Sequence, residues 1–217
     1  EALERHSEIW DDAVPAELYV HVTTQQVMDA MSPDAQGLLA VVATEEVTGS
    51  EALAAALEGA RLVAVLTQAQ DPGNAGTIIR AADAAGADAV VLVRGSVDPT
   101  APKVVRSTAG SLFHLPVVTG VALDDAVTAL HNAGLTVLAA DGRGDFDLFE
   151  AESLLEAPSA WLLGNEAHGL PSEALSRADA VVSIPIYGKA ESLNVAAAAA
   201  VCLYASARAQ AQNSGRS

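Results

Sequence analysis

The sequence predicts an α/β fold in which a mostly parallel sheet is covered by helices on both faces. Short apolar runs rich in valine and leucine recur from Arg61 onward, and helical segments separate them. Continuous apolar strands of this kind are typical of a sheet buried on both sides. With 217 residues, of which 51% are hydrophobic, the chain can bury a sizeable core.

The first 60 residues show a weaker pattern. Alternating apolar and β-branched residues predict strands at Glu17–Val22 and Gly37–Ala43, with a helix at Thr24–Met31 between them. Residues 1–43 are too few for a stable domain, so we interpret them as part of a small α/β module. The acidic, alanine-rich segment 44–60 is predicted to be a linker helix. Because the sequence does not begin with methionine, we expect the gene product to extend beyond it.

Residues 61–217 alternate regularly between strands and helices and are predicted to form the second domain. The last helix contains a run of alanines, the residue with the highest helix propensity, and Ser192 is predicted to cap its amino end. Its small side chains allow another backbone to approach closely. The predicted strands are Leu62–Leu66, Ala89–Val93, Leu115–Val118, Leu135–Ala140, Ala160–Leu163 and Ala180–Ile184. The predicted helices are Asn74–Ala85, one entered from the loop Pro99–Gly110, Leu123–Ala133, Pro171–Arg177 and Ser192–Gln210.

Composition restricts the classes of site and partner. The net charge of −17 argues against a nucleic-acid partner, which normally binds a basic face. Cys202 is the single cysteine, so neither an intrachain disulfide nor a cysteine metal site is predicted, and the histidines lack metal-ligand spacing. The charged amino-terminal stretch does not resemble a signal peptide, and no apolar run is long enough to predict a membrane span.

Polar loops follow several of the predicted strands. Ligands of open α/β sheets bind beyond the carboxyl ends of the strands, so these loops are candidate sites. The loop 71–77 lacks the GxGxxG pattern, which counts against a dinucleotide site. Asp141 can accept a hydrogen bond from a ribose hydroxyl or simply close a turn. The basic segment 103–111 can hold a phosphate or form a plain surface loop. Candidate polar residues in the loops are Asn74, Arg80, Asp141, Glu166, His168, Tyr187, Glu191, Ser192 and Asn194.

Three spaced motifs resemble those of a known family. They are DPGNAGTIIRAADAAGADAVVL, WLLGNEAHGLP and IPIYGKAESLNVAAAAAV, and they occur between Arg61 and Ala209. In this order they resemble the SpoU (TrmH-type) RNA 2′-O-methyltransferases of the SPOUT superfamily. Residues 1–43 resemble the second half of the small ribosomal-protein-like RNA-binding domain that precedes many members. The resemblance implies a parallel sheet with a C-terminal trefoil knot, S-adenosylmethionine as cofactor, and a homodimer whose RNA site spans both subunits.

The resemblance also implies roles for individual residues. Asn74 and Arg80 match the polar pair of the first motif, Glu166 matches the glutamate of the second, and Ser192 and Asn194 match the polar pair of the third. We therefore expect these residues to be catalytic, with Arg80 acting across the dimer interface on the target phosphate and on developing negative charge. The expected cofactor-binding residues are Ala139, Ala140, Asp141, Gly164, Asn165, Ile184 and Leu193.

The motifs indicate the reaction more clearly than they indicate which RNA is the substrate. The partial amino-terminal domain favours large-subunit ribosomal RNA over transfer RNA, and a cytoplasmic location is expected. Three alternatives remain open from the sequence. They are a non-catalytic RNA-binding or ribosome-assembly factor on the same scaffold, a nicotinamide-dependent oxidoreductase, and a SPOUT enzyme that modifies a base.

Overall fold

The computed structural model describes residues 5–32, 35–43, 47–165 and 168–214. The chain divides into two compact units, residues 1–46 and 47–217. The smaller unit contains helix α1 (Ser7–Ala13) and helix α2 (Gln25–Met31), so the helix predicted at Thr24–Met31 is confirmed.

The strands predicted at Glu17–Val22 and Gly37–Ala43 do not form, since none of these residues has strand geometry with a paired neighbour. Tyr19, Val22 and Val41 are each more than four-fifths exposed, at 87%, 85% and 84%. An alternating segment becomes a strand only when a partner strand and a buried face stabilise it, and the described residues of this unit provide neither. The interpretation of 1–43 as part of an RNA-binding domain stays a prediction.

A seven-stranded sheet forms the centre of the larger unit. The strands are β1 (Leu62–Leu66), β2 (Ala89–Val93), β3 (Val117–Val121), β4 (Thr136–Ala140), β5 (Phe146–Asp147), β6 (Ser159–Leu163) and β7 (Ala180–Ser183). Their order in the sheet is β3-β2-β1-β6-β4-β7-β5. All of the described pairings are parallel, which confirms the predicted fold class. The two-residue strand β5 was not predicted, because so short a segment has no periodicity to detect.

Helices cover both faces of this sheet, as predicted. Alternate residues of β1 belong to two separate core clusters, with Leu62 and Leu66 in one and Val63 and Val65 in the other. The helices of the larger unit are α3 (Gly49–Ala56), α4 (Pro72–Ala84), α5 (Pro102–Thr108), α6 (Leu123–Asn132), α7 (Glu152–Leu155), α8 (Ser172–Arg177) and α9 (Val195–Ser214). The first cluster packs under α4, α5 and α9, and the second under α3, α6 and α8.

Helix α3 lies in the segment 44–60 that was expected to be a linker. Its Leu53 and the following Leu57 are buried in the second core cluster, and Thr48 forms a bridge to Thr119 of β3. The spacing of four residues places both leucines on one helix face, so this segment, from residue 47 on, packs as part of the larger unit.

Helix α9 is fixed to the sheet by buried polar contacts near its carboxyl end. The Trp161 Nε1–H donates to Ser206 Oγ at 2.9 Å, and Gln210 Nε2 donates to the carbonyls of Ala157 and Arg61 at 2.9 and 3.1 Å. Burial also raises the pKa of the Cys202 thiol to about 12, so this cysteine is a neutral core residue. None of the described helices, including α9, is both long and apolar enough to span a membrane.

Strand β7 lies between β4 and β5, which are close neighbours in the sequence. The connection from β4 to β5 contacts β7, since Asp141 N donates to Val182 O at 3.1 Å. Directly after β5, Leu148 N donates to Ser183 O at 2.9 Å. The position of β7 between β4 and β5 is consistent with the predicted knot. The knot itself stays a prediction.

Candidate functional site

A cavity of about 470 Å³ opens at the carboxyl edge of the sheet, beyond strands β4, β6 and β7. Loops that are far apart in the sequence converge on it because their strands are parallel neighbours. Its lining residues are Ala140, Asp141, Gly142, Gly164, Asn165, Gly169, Val182, Ile184, Ile186, Glu191, Ser192, Leu193, Asn194, Val195 and Ala198.

The cavity brings together most of the residues expected to bind the cofactor or to be catalytic. Six of the seven expected cofactor-binding residues line it, whereas Ala139 is fully buried inside β4. Ser192 and Asn194 line it as well. Glu166 lies outside the described residues. The roles assigned to these residues stay predictions, but eight of the residues line the same cavity.

Gly164 is a position where only glycine fits the backbone. A Cβ at this residue would lie 2.6 Å from Leu170 N and 2.8 Å from Gly169 O, which is closer than real contacts permit. Two backbone hydrogen bonds between Asn165 and Gly169, of 3.0 and 2.8 Å, hold the two ends of this loop together. Gly164 therefore allows the loop to fold back and form one wall of the cavity.

Asp141 and Arg143 form an ion pair at a second wall. The Asp141 carboxylate accepts hydrogen bonds from Arg143 Nε at 3.0 Å and from the Arg143 backbone N–H at 2.9 Å. The Arg143 guanidinium hydrogen-bonds the carboxylate and holds the pKa of Asp141 below its ordinary value of 3.8. At neutral pH the cavity thus has an ionised carboxylate on its wall, which can accept hydrogen bonds from ligand hydroxyl groups.

The amino end of α9 forms a third wall, and its cap is Asn194 rather than Ser192. Asn194 Oδ1 accepts hydrogen bonds from Ala196 N at 2.9 Å and from Ala197 N at 3.3 Å. The expected cap at Ser192 is wrong because the helix begins only at Val195, so Ser192 lies too far from its first turn. Ser192 instead lines the cavity with its side chain exposed.

Asn74 joins the amino ends of α4 and α9. Its Oδ1 accepts a hydrogen bond of 3.1 Å from Asn194 Nδ2. Asn194 thus uses its side-chain oxygen for the α9 cap and its side-chain nitrogen for the contact with Asn74. Asp71 caps α4, since its carboxylate accepts a hydrogen bond from Asn74 N at 2.7 Å. Two helix amino ends, each favourable to negative charge, therefore meet beside the cavity.

Arg80 and Asn74 are expected catalytic residues that do not line the cavity, but Asn74 is hydrogen-bonded to the lining residue Asn194. Arg80 is exposed on α4, six residues beyond Asn74, and it is not among the lining residues. At about 100° per residue, six residues place Arg80 on a different face of the helix from Asn74. Within a single chain, Arg80 is therefore exposed on α4 and is not part of the cavity wall.

The basic segment 103–111 forms α5 and the turn after it. Ser107 Oγ donates to Pro72 O at 3.0 Å, which fixes α5 against the first turn of α4. A Cβ at Gly76 would lie 2.7 Å from Val104 O, so this glycine allows the two helices to pack closely. The segment is therefore a structural neighbour of Asn74 with Lys103 and Arg106 on its exposed side.

The cavity combines apolar and polar walls in a way that suits a nucleoside-like ligand. Its volume falls within the range of about 300–1,000 Å³ that is typical of small-molecule sites. Val182, Ile184 and Leu193 offer an apolar surface for a flat ring, and Asp141 offers an acceptor for hydroxyl groups. Among the described residues, no group of three or more His, Cys, Asp or Glu side chains could hold a metal ion.

Sequence reasoning missed several lining residues. These are Gly142, Gly169, Val182, Ile186, Val195 and Ala198, whereas Glu191 was a candidate polar residue without an assigned role. All lie within a few residues of a predicted position, so proximity in the sequence was the available signal.

Comparison with known proteins relates this geometry to a family. A family model described as the SpoU rRNA Methylase family matches residues 61–204. The 23S rRNA (guanosine(2553)-2′-O)-methyltransferase RlmP of Bacillus subtilis (strain 168) is 42% identical over 151 residues, which are 68% of this chain and 58% of that protein. This chain covers between 49% and 58% of the first curated relatives, or about half their length.

Solved structures give the same result. The SpoU methyltransferase AviRb from Streptomyces viridochromogenes, in complex with the cofactor AdoMet (S-adenosylmethionine), has a TM-score of 0.64 and 37% identity, covering 69% of this chain and 60% of that chain. An AdoMet-bound rRNA methyltransferase from Sinorhizobium meliloti has a TM-score of 0.77 and 30% identity, covering 93% of this chain and 76% of that chain.

Proposed function

We propose that this chain, which belongs to the SpoU rRNA methylase family, transfers a methyl group from S-adenosylmethionine to a ribose 2′-hydroxyl of RNA. The observation that carries the proposal is the cavity that the loops of the second and third motifs line together. The first motif is joined to it by the hydrogen bond from the Asn194 amide to Asn74. The relatives named as 23S rRNA methyltransferases and the AdoMet-bound structures support the same reaction.

The cavity residues fit the cofactor by their chemistry. Ile184 and Leu193 would pack on its adenine ring, and the Asp141 carboxylate would accept from its ribose hydroxyls. Because Gly164 has no side chain, the backbone groups of Gly164 and Asn165 would lie close to the cofactor. When bound, the cofactor supplies a methyl group that its sulfonium centre already activates. Ala139 would act only through its place in the buried strand beneath Ala140.

The reaction requires the chain to position the ribose and to help remove its proton. The 2′-oxygen gains the methyl carbon as the bond from sulfur to that carbon breaks, and the hydroxyl proton is released. Asn74 and Asn194 would orient the ribose from the joined helix ends. Ser192, also at the cavity wall, would hold the hydroxyl or the loop. A supporting role is proposed for Glu166 from its position in the second motif alone.

Arg80 would bind the phosphate of the target nucleotide. A guanidinium stays protonated at working pH, so it is suited to bind phosphate and stabilise developing alkoxide charge, but not to act as the base. A phosphate oxygen of the RNA would then accept the proton. This assignment predicts that Arg80→Ala abolishes methyl transfer while cofactor affinity measured by calorimetry stays within about twofold of wild type.

We also propose a homodimer in which Arg80 serves the cavity of the partner subunit. The support is the position of Arg80, which is exposed on α4 and outside the lining of its own cavity. Co-expression of Arg80→Ala with Asn194→Asp tests this directly. Each variant alone should be inactive, but mixed dimers contain one intact composite site and should restore about a quarter of wild-type activity. No restoration, or a monomer in light scattering, would contradict the arrangement.

Three further features belong to the same proposal. Residues 184–194 are proposed to complete the trefoil knot, because β7 lies between β4 and β5. Residues 1–43 are proposed to belong to an RNA-binding domain, because the match to the Sinorhizobium meliloti structure covers 93% of this chain and so extends beyond the larger unit. A cytoplasmic location is proposed, since ribosomal RNA is the substrate that the named relatives modify.

The RNA class can be identified by one experiment with matched substrates. We expect the purified protein with S-adenosylmethionine to introduce a 2′-O-methyl group into large-subunit ribosomal RNA, which ribose-methylation mapping would locate. Transfer RNA is the matched second substrate, and methylation of it alone would replace the ribosomal proposal. Binding of RNA without any methyl transfer would favour the non-catalytic assembly factor.

A further inference from the structure

A short segment projects from the rim of the cavity. Ile186 and Glu191 line the cavity, whereas the residues between them are exposed and do not line it. A Cβ placed on Gly188 would meet no atom within 4 Å, so a side chain at this position would enter open space. We call residues 187–190 the rim tip.

Tyr187 has an unusual environment for an aromatic side chain of the larger unit. It is 86% exposed, and no hydrogen bond or ring contact connects it with another described residue. The neighbouring Ile186 and Leu193 are also partly exposed, at 39% and 40%. An exposed tyrosine beside a ligand cavity has a flat apolar face and a polar end, which suits contact with a planar ligand.

Lys189 adds a positive charge to the same tip. It is exposed two residues beyond Tyr187. The chain has a net charge of −17, so an approaching polyanion is repelled by most of the molecule and depends on local cations. An exposed aromatic ring and a cation within one short loop match the chemistry of an unstacked base and its phosphate.

We propose that the rim tip binds the RNA next to the target nucleotide, with Tyr187 stacked on a neighbouring unpaired base and Lys189 paired with the flanking phosphate. The inference rests on the proposed function, because it requires the target ribose to enter the cavity that Ile186 and Glu191 line. Complementary charge and continuity with the cavity favour RNA over a protein partner. Tyr187 is then a positioning residue that acts on substrate binding, not on the reacting atoms.

Substitutions at the rim tip separate stacking from other roles. Tyr187→Ala should raise the KM for the RNA roughly tenfold and leave kcat within about twofold, as expected for the loss of one aromatic stack. Tyr187→Phe should behave like wild type, because stacking does not use the hydroxyl. Tyr187→Leu should resemble Tyr187→Ala, because it keeps apolar bulk without a ring. Lys189→Ala should reduce the slope of log binding constant against log salt concentration by about 1, as expected for the loss of one phosphate contact.

Two control variants match these changes at other places. Phe149→Ala removes a ring that is 59% exposed and does not line the cavity. Arg208→Ala removes an exposed cation near the other end of α9. Both should leave the KM for the RNA unchanged. Cofactor affinity of every variant, measured by calorimetry, should equal that of wild type.

The outcomes distinguish this inference from the proposed function. If wild-type protein transfers no methyl group to any RNA, the proposed function fails and this inference fails with it. If wild type is active but Tyr187→Ala keeps the wild-type KM, only the inference fails. A change in particle mass of Tyr187→Ala by light scattering would assign the tip to contact between copies of the chain and would also overturn the inference.

Discussion

The replacement Gly164→Ala tests whether the Gly164 loop forms the cofactor wall. The added Cβ would lie 2.6 Å from Leu170 N and 2.8 Å from Gly169 O, and both atoms belong to the backbone. A backbone atom cannot rotate away as a side-chain end can, so the loop itself must move. Overpacking of this kind costs about 1–3 kcal/mol.

The expected result for Gly164→Ala has two parts. For a chain of this size, about 1–3 kcal/mol corresponds to a decrease in Tm of roughly 2–12 °C, measurable by calorimetry. Since the displaced loop includes the cavity-lining Asn165 and Gly169, affinity for S-adenosylmethionine should fall at least about tenfold, equivalent to about 1.4 kcal/mol, in isothermal titration.

Gly142→Ala is the matched control. Gly142 also lines the cavity, but a Cβ there would meet nothing within 4 Å. Its Tm should therefore stay within about 2 °C of wild type, as is usual for an uncrowded surface substitution. If Gly164→Ala matched Gly142→Ala in both Tm and cofactor affinity, the steric argument for this wall would be refuted.

Three further predictions concern the cap, the ion pair and the buried thiol. Asn194→Ala should destabilise the fold by about 1 kcal/mol through loss of the α9 cap, whereas Asn194→Asp should keep the cap and lose only the donor to Asn74; equal unfolding free energies for the two variants in urea would contradict this. The lowered pKa of Asp141 means that its pairing with Arg143 stabilises the folded state above the ordinary value of 3.8 and that this contribution is lost as pH falls through the folded-state pKa. In Arg143→Ala the Asp141 carboxyl should titrate at higher pH by NMR, and an unchanged titration would disprove the assigned cause. Cys202, with a thiol pKa of about 12, should resist iodoacetamide until the protein unfolds, so rapid labelling of the native protein would show that it is not buried.

The sheet was predictable because its strands are continuous apolar runs. β1 and β2 occur at the predicted residues, since runs such as LVAVL and AVVLV are buried along their whole length. The same reasoning failed at Glu17–Val22, where alternation was present but no partner strand provides a buried face. Periodicity therefore identified strands only where the surrounding sheet supplied partners.

The site was predictable at the level of its loops but not of its contacts. The motifs predicted a shared location for Gly164, Ile184 and Leu193, and all three line one cavity in the structure. The steric need for Gly164 depends on the backbone of residues 169–170, and the cap at Asn194 depends on where α9 begins. Both are three-dimensional facts that composition and spacing do not encode.

The most direct test of the central claim is ribose-methylation mapping after reaction of the wild-type protein with methyl-labelled S-adenosylmethionine and RNA. The proposal predicts a labelled 2′-O-methyl group at a defined nucleotide of large-subunit ribosomal RNA with wild type, and none with Arg80→Ala. Label on a base instead of a ribose, or no label in ribosomal or transfer RNA, would contradict it.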